Sequence, residues 1–342
     1  MPVEVTIVTP AFNEEQNLLA LHARLRDTFD SAGLAWEWIV VDDHSHDGTF
    51  QAIEKLAASD SRVLGLRFSR NSGSHTAISC GLRHARGRCA VVMAADLQDP
   101  PEVILRLLEE WRLGAQTVWA ARQSRPGEKP RDLFFSKMYY FLMRKFVGMR
   151  DMPAEGADFF LLDRVVIDAL SRFQERNISL FALIHWMGFR QKVVSYVKQA
   201  RVHGVSGWGV WKKVKLLVDS VLPFSYVPIR IMSASGAVIS VLGFLYGVVV
   251  LVNAFFHDAP VHGWSSLMFV ILVLGGMQML TLGILGEYLW RAYDESRRRP
   301  GYMIENSCGR YQPQADGTGG SDADCGIKTG QACIPERGTD RS

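Results

Sequence analysis

The sequence predicts an α/β domain, built on a mostly parallel sheet flanked by helices and followed by two transmembrane helices. Three observations predict it. Short apolar runs alternate with amphipathic helical stretches in the first half of the chain, the pattern of parallel strands joined by crossover helices. Each helical stretch begins after a turn carrying polar or acidic residues. Further on, two long runs, 231–256 and 264–286, contain no Asp, Glu, Lys or Arg.

The expected strands are 3–8, 37–42, 63–68, 90–94 and 117–121, each a short run rich in apolar and β-branched residues. The expected helices are 14–32, 49–58, 74–85 and 102–113. Turns at the carboxyl ends of such strands are where open α/β folds bind ligands. Neither a P-loop nor a Gly-rich dinucleotide fingerprint follows the first strand, which disfavours NAD chemistry and P-loop ATPase chemistry.

Each uncharged run supplies the ~20 apolar residues needed to cross a hydrocarbon core of about 30 Å, and a short connection joins them as a hairpin. Lys212, Lys213, Lys215 and Arg230 precede the first run and Arg291, Arg297, Arg298 and Arg299 follow the second, whereas 257–263 has no Lys or Arg. The positive-inside rule then places the α/β domain and both termini in the cytoplasm, at the plasma (inner) membrane. Trp264, Tyr288 and Trp290 sit where interfacial aromatics are expected, and Trp208 and Trp211 beside the lysines mark an interfacial segment before the first span. The segment 133–147 reads either as a membrane-interface helix or as a packed helix of the domain. Gly243, Gly247, Gly275, Gly276, Gly283 and Gly286 would permit close helix contacts and so a homo-oligomer. The expected organisation is a catalytic domain over 1–210, an interfacial segment over 211–229, the hairpin over 230–290, and a basic segment with a disordered tail over 291–342.

With 342 residues, 48% of them hydrophobic, the chain can bury a full α/β domain and still supply a membrane part. A net charge of +3 gives no case for nucleic acid, and the start of the chain lacks the pattern of an export signal. Five cysteines without a CxxC pair indicate neither a zinc site nor a disulfide framework.

The chemistry concentrates at 91–102, Val-Val-Met-Ala-Ala-Asp-Leu-Gln-Asp-Pro-Pro-Glu. The apolar run ends at Asp96, so its carboxylate is expected at the carboxyl edge of the sheet, with Gln98 and Asp99 adding oxygens. Mg²⁺ and Mn²⁺ take oxygen ligands together with substrate phosphates, and this turn offers that set. Helix capping accounts equally well for Asp99, Pro100 and Glu102 but leaves Asp96 and Gln98 unexplained. The turns at 9–15 (Thr-Pro-Ala-Phe-Asn-Glu-Glu) and 42–49 (Asp-Asp-His-Ser-His-Asp-Gly-Thr) offer carboxylates to a base and ribose, or caps in Asn13, Asp43 and Asp47.

Taken in order, 10–14, 42–49, Arg70-Asn71-Ser72-Gly73, 96–102, 122–128 and 201–208 resemble the motifs of a family 2 glycosyltransferase with a GT-A fold. Within that family the chain is similar to the polyprenyl-phosphate group, of dolichol-phosphate mannosyltransferase type. The motifs cover about the first 210 residues, and the hairpin extends the match to near residue 300. The resemblance implies that Pro10, Phe12, Glu14, Asp42, Asp43 and Ala95 bind the nucleotide sugar. It also implies that Asp96 and Gln98 hold a divalent metal, Mg²⁺ or Mn²⁺, on the diphosphate, and that Arg122, Arg125 and Arg201 handle donor and acceptor phosphates. Guanidinium groups suit that task by geometry; as sequence alone, they also read as surface ion pairs.

The implied reaction is an inverting transfer from a nucleotide-diphosphate sugar to a polyprenyl phosphate, undecaprenyl phosphate or similar. Two departures stand out. Ala94 occupies the place of the first Asp of an Asp-x-Asp, and Gly207 the place of a common Lys, whose charge Lys198, Lys212 or Lys213 would have to supply. A processive polysaccharide synthase is disfavoured by the lack of Gln-x-x-Arg-Trp and by having only two spans. A catalytically silent membrane adaptor of the same fold is the other alternative, hinted at only by Ala94.

Overall fold

A computed structural model of the chain describes residues 3–122, 158–173, 179–199, 234–239, 241–246, 248–249, 263–297 and 299–309. Its centre is an eight-stranded sheet. In chain order the elements are β1 (Val5–Ala11), α1 (Glu15–Ser31), β2 (Trp36–Asp42), α2 (Thr49–Ser59), β3 (Val63–Phe68), α3 (Ser74–His84), β4 (Cys89–Val92), α4 (Val103–Arg112) and β5 (Thr117–Arg122). There follow β6 (Phe160–Asp163), α5 (Arg164–Ser171), α6 (Leu180–Trp186), β7 (Gln191–Tyr196), the long helix α7 (Trp264–Ser296) and β8 (Ile304–Cys308).

The strand order is β7-β5-β6-β4-β1-β2-β3-β8. Strands β1 to β4 are mutually parallel, as the crossover pattern predicts, and β5 pairs parallel with β7. β6 runs antiparallel to both β4 and β5, and β8 runs antiparallel to β3, so the sheet is mixed. Because β6 reverses direction, β5 and β7 point the same way as β1 to β4. The carboxyl ends of all six therefore share one edge.

Side-chain alternation divides the core into two layers. Val5, Ile7, Trp38, Val40, Val91 and Val118 pack with Leu18, Leu21, Leu25 and Phe29 of α1 and Ile104, Leu107 and Leu108 of α4 on one face. Val8, Ile39, Val41, Val92 and Phe160 pack with Ala77, Ile78 and Leu82 of α3, Val166 and Ile167 of α5, and Leu183 of α6 on the other. Burial on both faces is why these strands read as apolar runs. Each fully buried Leu or Ile stabilises the fold by about 1.5–3 kcal/mol. Gly81 lets α3 lie on this sheet, since a Cβ there would meet Val8 Cγ1 at 2.3 Å.

Several expectations need correction. β1 continues to Ala11, pairing Pro10 with Val41 and Ala11 with Asp42, although 9–11 reads as a turn. Pro10 is tolerated because β4 accompanies β1 only as far as Val8, leaving that side of β1 without a ladder. β4 stops at Val92, so 93–95 already belongs to the turn. β6, α5, α6, β7 and β8 are additions. β8 belongs to the 291–342 segment, expected to be a basic stretch and a tail, yet it closes the β3 edge. Gly65 makes room for it, as a Cβ there would lie 2.5 Å from Cys308 Sγ and 2.4 Å from Ile53 Cγ2.

Among the described residues no helix is long and apolar enough to cross a membrane, so the structure does not supply the expected hairpin. Of the first expected span, helix is described at 234–239, 241–246 and 248–249, and 250–262 lies outside the described residues. The second expected span falls within α7, where Val270, Ile271, Val273, Leu274, Leu282, Leu285 and Leu289 are exposed. The segments 123–157, 200–233 and 310–342, with Arg125, Arg201, the 133–147 stretch, the interfacial lysines and the tail, also lie outside the described residues.

Candidate functional site

The carboxyl edge of the sheet gathers the sequence motifs. The turns after β1, β2, β3 and β4 lie there, as do Arg122 at the end of β5 and residues 197–199 after β7. β6 starts at this edge, so Asp158 joins them. Backbone strain marks the same place. All three non-glycine residues with positive φ among the described residues, Asn13 (57°), His44 (60°) and Leu97 (60°), fall in the turns after β1, β2 and β4, and Gly73 (89°) follows β3. Such conformations cost on the order of 1–3 kcal/mol each and persist where the surroundings over-determine them.

The first two turns are stitched together. Asn13 N donates to Ser45 Oγ at 2.9 Å, His46 N to Asn13 Oδ1 at 2.9 Å, Glu14 N to Thr49 Oγ1 at 2.9 Å, and Gly48 N to Glu15 Oε2 at 3.1 Å. Thr49 N donates to Asp47 Oδ1 at 3.0 Å, so Asn13 and Asp47 do act as turn-forming residues. Glu14 stands at the N-cap position of α1, with its Oε2 accepting from Asn17 Nδ2 at 2.6 Å. Phe12 is exposed and meets the His46 ring edge-on at 6.0 Å, and His46 meets His44 the same way at 6.0 Å. Pro10 is half-buried at the end of β1.

Asp42 and Asp43 are buried, and protein partners engage both carboxylates. Asp42 accepts from Ser45 N at 2.9 Å and from Arg67 Nη1 at 3.1 Å. Asp43 accepts from Ser72 N at 2.6 Å and Gly73 N at 2.8 Å, which fixes the third turn to the second. Burial pushes the Asp43 carboxyl above its usual range, and those two amides oppose the shift.

After β4 comes Ala94, at the position where an Asp would complete an Asp-x-Asp, then the buried Ala95 and Asp96. Gln98 N donates to Asp96 Oδ1 at 3.2 Å across the left-handed Leu97. Gln199 N donates to Gln98 O at 2.8 Å, and Gln98 Nε2 to Gln199 O at 3.4 Å, which ties this turn to the end of β7. Asp99 is 1% exposed; its Oδ1 accepts from Tyr196 Oη at 2.5 Å and lies 3.4 Å from Lys198 Nζ. Lys198 Nζ is also 3.8 Å from Asp158 Oδ2. Burial raises the Asp99 carboxyl, opposed by Lys198 and Tyr196, while burial and the Asp99 charge raise the Tyr196 phenol.

Among the described residues no group of three or more His, Cys, Asp or Glu is gathered around a cation position. The donor set still fits a hard cation: one carboxylate and one amide, on a turn whose backbone is fixed, match ions that complete their shell with water and substrate phosphates. The sequence reading expected Asp96 at this edge, and the structure puts it there, with Gln98 two residues on; Arg122, implied by the family resemblance, ends β5 at the same edge. The sequence reading missed Tyr196 and Arg67, for which no local signal exists because each acts on a turn far away in the chain.

Comparison with known proteins adds four findings. The family model "Glycosyl transferase family 2" matches residues 6–171. The uncharacterized glycosyltransferase YkcC of Bacillus subtilis is 37% identical over 311 residues, covering 90% of this chain and 95% of that one. The bactoprenol glucosyl transferase of Shigella phage SfV is 34% identical over 304 residues, covering 89% and 99%. Among solved structures, a mannosyltransferase from Pyrobaculum calidifontis in complex with GDP-Man and Mn²⁺ is 18% identical, covers 86% of this chain and 88% of that one, and has a TM-score of 0.44.

Proposed function

The chain belongs to glycosyl transferase family 2 and is a glycosyltransferase, and from that premise we propose that it moves a sugar from a UDP- or GDP-linked donor to a polyprenyl phosphate such as undecaprenyl phosphate. The observation that carries the reading is the convergence of the nucleotide-type turns, Asp96, Arg122 and Lys198 on one strained sheet edge. The acceptor class is supported by the similarity to the bactoprenol glucosyl transferase along 89% of this chain.

In this reading Pro10, Phe12, Glu14 and Ala95 border the nucleoside, and Asp42 and Asp43 shape its turn. An oxygen of the acceptor phosphate attacks the anomeric carbon from the face opposite the nucleotide. The bond from that carbon to the donor diphosphate oxygen breaks, and the electron pair leaves with the nucleoside diphosphate, inverting the centre. The acceptor is already anionic at neutral pH, so no side chain has to remove a proton. Arg122 stands where a guanidinium can hold a phosphate, and Arg125 and Arg201 are assigned the same task. Asp96 and Gln98 would hold Mg²⁺ or Mn²⁺, which when bound offsets charge developing on the leaving diphosphate.

The membrane part of the reading rests on the two uncharged runs, on the basic residues flanking them, and on the exposed apolar residues of α7. A lipid-linked acceptor makes the same demand. We place the catalytic domain on the cytoplasmic face by the distribution of Lys and Arg.

The test is transfer of radiolabelled sugar from a panel of UDP and GDP sugars to undecaprenyl phosphate in detergent, with and without Mg²⁺ or Mn²⁺, alongside Asp96→Ala. A lipid-linked product that needs the metal and is lost in the variant is expected. Absence of product with every donor, from protein that still binds a nucleotide sugar, would count against this acceptor.

A further inference from the structure

The last described strand has no obvious business at the nucleotide edge. Its sequence, Ile304-Glu305-Asn306-Ser307-Cys308, is polar and follows a long helix. It nevertheless enters the sheet at the carboxyl end of β3, with Ile304 opposite Phe68. Two contacts fix the entry: the Tyr302 ring stacks on Phe68 with centroids 5.0 Å apart, and Ser69 N donates to Met303 O at 3.0 Å. Glu305 Oε2 then lies 3.5 Å from Arg67 Nε and 3.9 Å from His44 Nδ1.

Arg67 works in three directions. While Nε faces Glu305, Nη1 donates to Asp42 Oδ2 at 3.1 Å and Nη2 donates to Ser45 O at 3.2 Å. Ser45 in turn holds Asn13 of the first turn through its hydroxyl. One guanidinium therefore joins the strand after α7 to both turns that border the nucleoside. His44 reinforces the same joint, since its strained backbone is matched by a ring nitrogen 3.0 Å from Phe68 O.

We propose that Arg67 and Glu305 are positioning residues of the nucleotide subsite, and that through them the docking of β8 is coupled to binding of a nucleoside diphosphate. The inference rests on reading these turns as the donor site. Coupling of this kind is reciprocal: a docked β8 raises nucleotide affinity, and bound nucleotide holds β8 in the sheet. Arg67 is mostly buried against the fully buried Asp42, so removing it would strand a charge and threaten folding. Glu305 is half-exposed and can be changed without that risk.

The experiment uses the full-length chain and Glu305→Gln, with UDP and GDP alone as probes in the presence of Mg²⁺. Calorimetry should show binding of the preferred diphosphate weakened about threefold in the variant, a size set by a partly exposed ion pair. Donor KM should rise by the same factor with acceptor KM unmoved, a split that general destabilisation does not produce. In the wild-type chain, adding the diphosphate should slow amide exchange at 304–308 as well as at 43–48. Equal affinity in both proteins, with exchange at 304–308 indifferent to nucleotide, would overturn the coupling and leave the site reading intact. A wild-type chain that binds neither diphosphate would overturn both.

Discussion

Replacing Tyr196 by Phe removes one oxygen from a place where the group it serves has little else. Asp99 is 1% exposed, its Oδ2 is buried without a hydrogen-bond partner among the described residues, and its Oδ1 has the Tyr196 hydroxyl at 2.5 Å and Lys198 Nζ at 3.4 Å. The Phe ring would keep its edge-on contact with Phe159, at 5.5 Å, so no cavity opens. The loss is then that of a hydrogen bond to a buried charged group, about 1.5–3 kcal/mol, and Lys198 keeps it toward the lower half of that range. A value of about 2 kcal/mol corresponds to roughly a thirtyfold change in the folding equilibrium. Equilibrium urea unfolding of the full chain, followed by tryptophan fluorescence, measures it. Asp99→Asn and the double variant complete a cycle in which the coupling should exceed about 1 kcal/mol, because a neutral amide has less need of the phenol. A coupling below about 0.5 kcal/mol would refute the reasoning, since the short bond would then be contributing nothing that Lys198 does not.

Gly81→Ala should destabilise by about 1–2 kcal/mol, overpacking against Val8 outweighing the gain in helix propensity, and Val8→Ala in the same chain should recover most of that overpacking. Gly73→Ala, at φ 89° with open space around its would-be Cβ, should cost about 1–3 kcal/mol from backbone strain alone and weaken donor binding, as read by thermal unfolding and donor KM. Burial works against ionisation of Asp60, but hydrogen bonds from Arg62 and His22 hold its carboxyl down to about 2. Its contribution, about 1–2 kcal/mol after solvent screening, is complete above the ordinary value of 3.8 and is lost as pH falls through about 2; Asp60→Asn should flatten that acid limb of the unfolding profile.

What the sequence disclosed follows from how each residue is buried. Strands β1 to β5 announce themselves because both faces are covered, so Ile39, Val40 and Val41 form an unbroken apolar run. β6 is as buried, yet four residues ending directly in the helix cap Asp163 do not separate a strand from the start of a helix. β7 and β8 are edge strands with exposed polar positions, and their pairing is decided by partners distant in the chain. At the site, Asp96 was legible because the apolar run before it fixes which edge it reaches. The engagement of Asp42 and Asp43 was not, because nothing near them in sequence names Arg67, Ser72 or Gly73 as partners. Tyr196 meets Asp99 across 97 positions of chain, a contact only the completed sheet creates.

The lateness of β8 in the chain has a consequence for how the molecule is made. During synthesis β1 to β7 can assemble as soon as they emerge, but among the described residues the outer side of β3 has no strand to pair with until the ribosome has finished α7 and reached residue 308. Until then the nascent domain carries a bare sheet edge, the feature through which chains join one another wrongly. Synthesis halted before Ile304 would release a protein with most of its core and an open seam, so premature termination is expected to yield aggregates rather than a shortened enzyme.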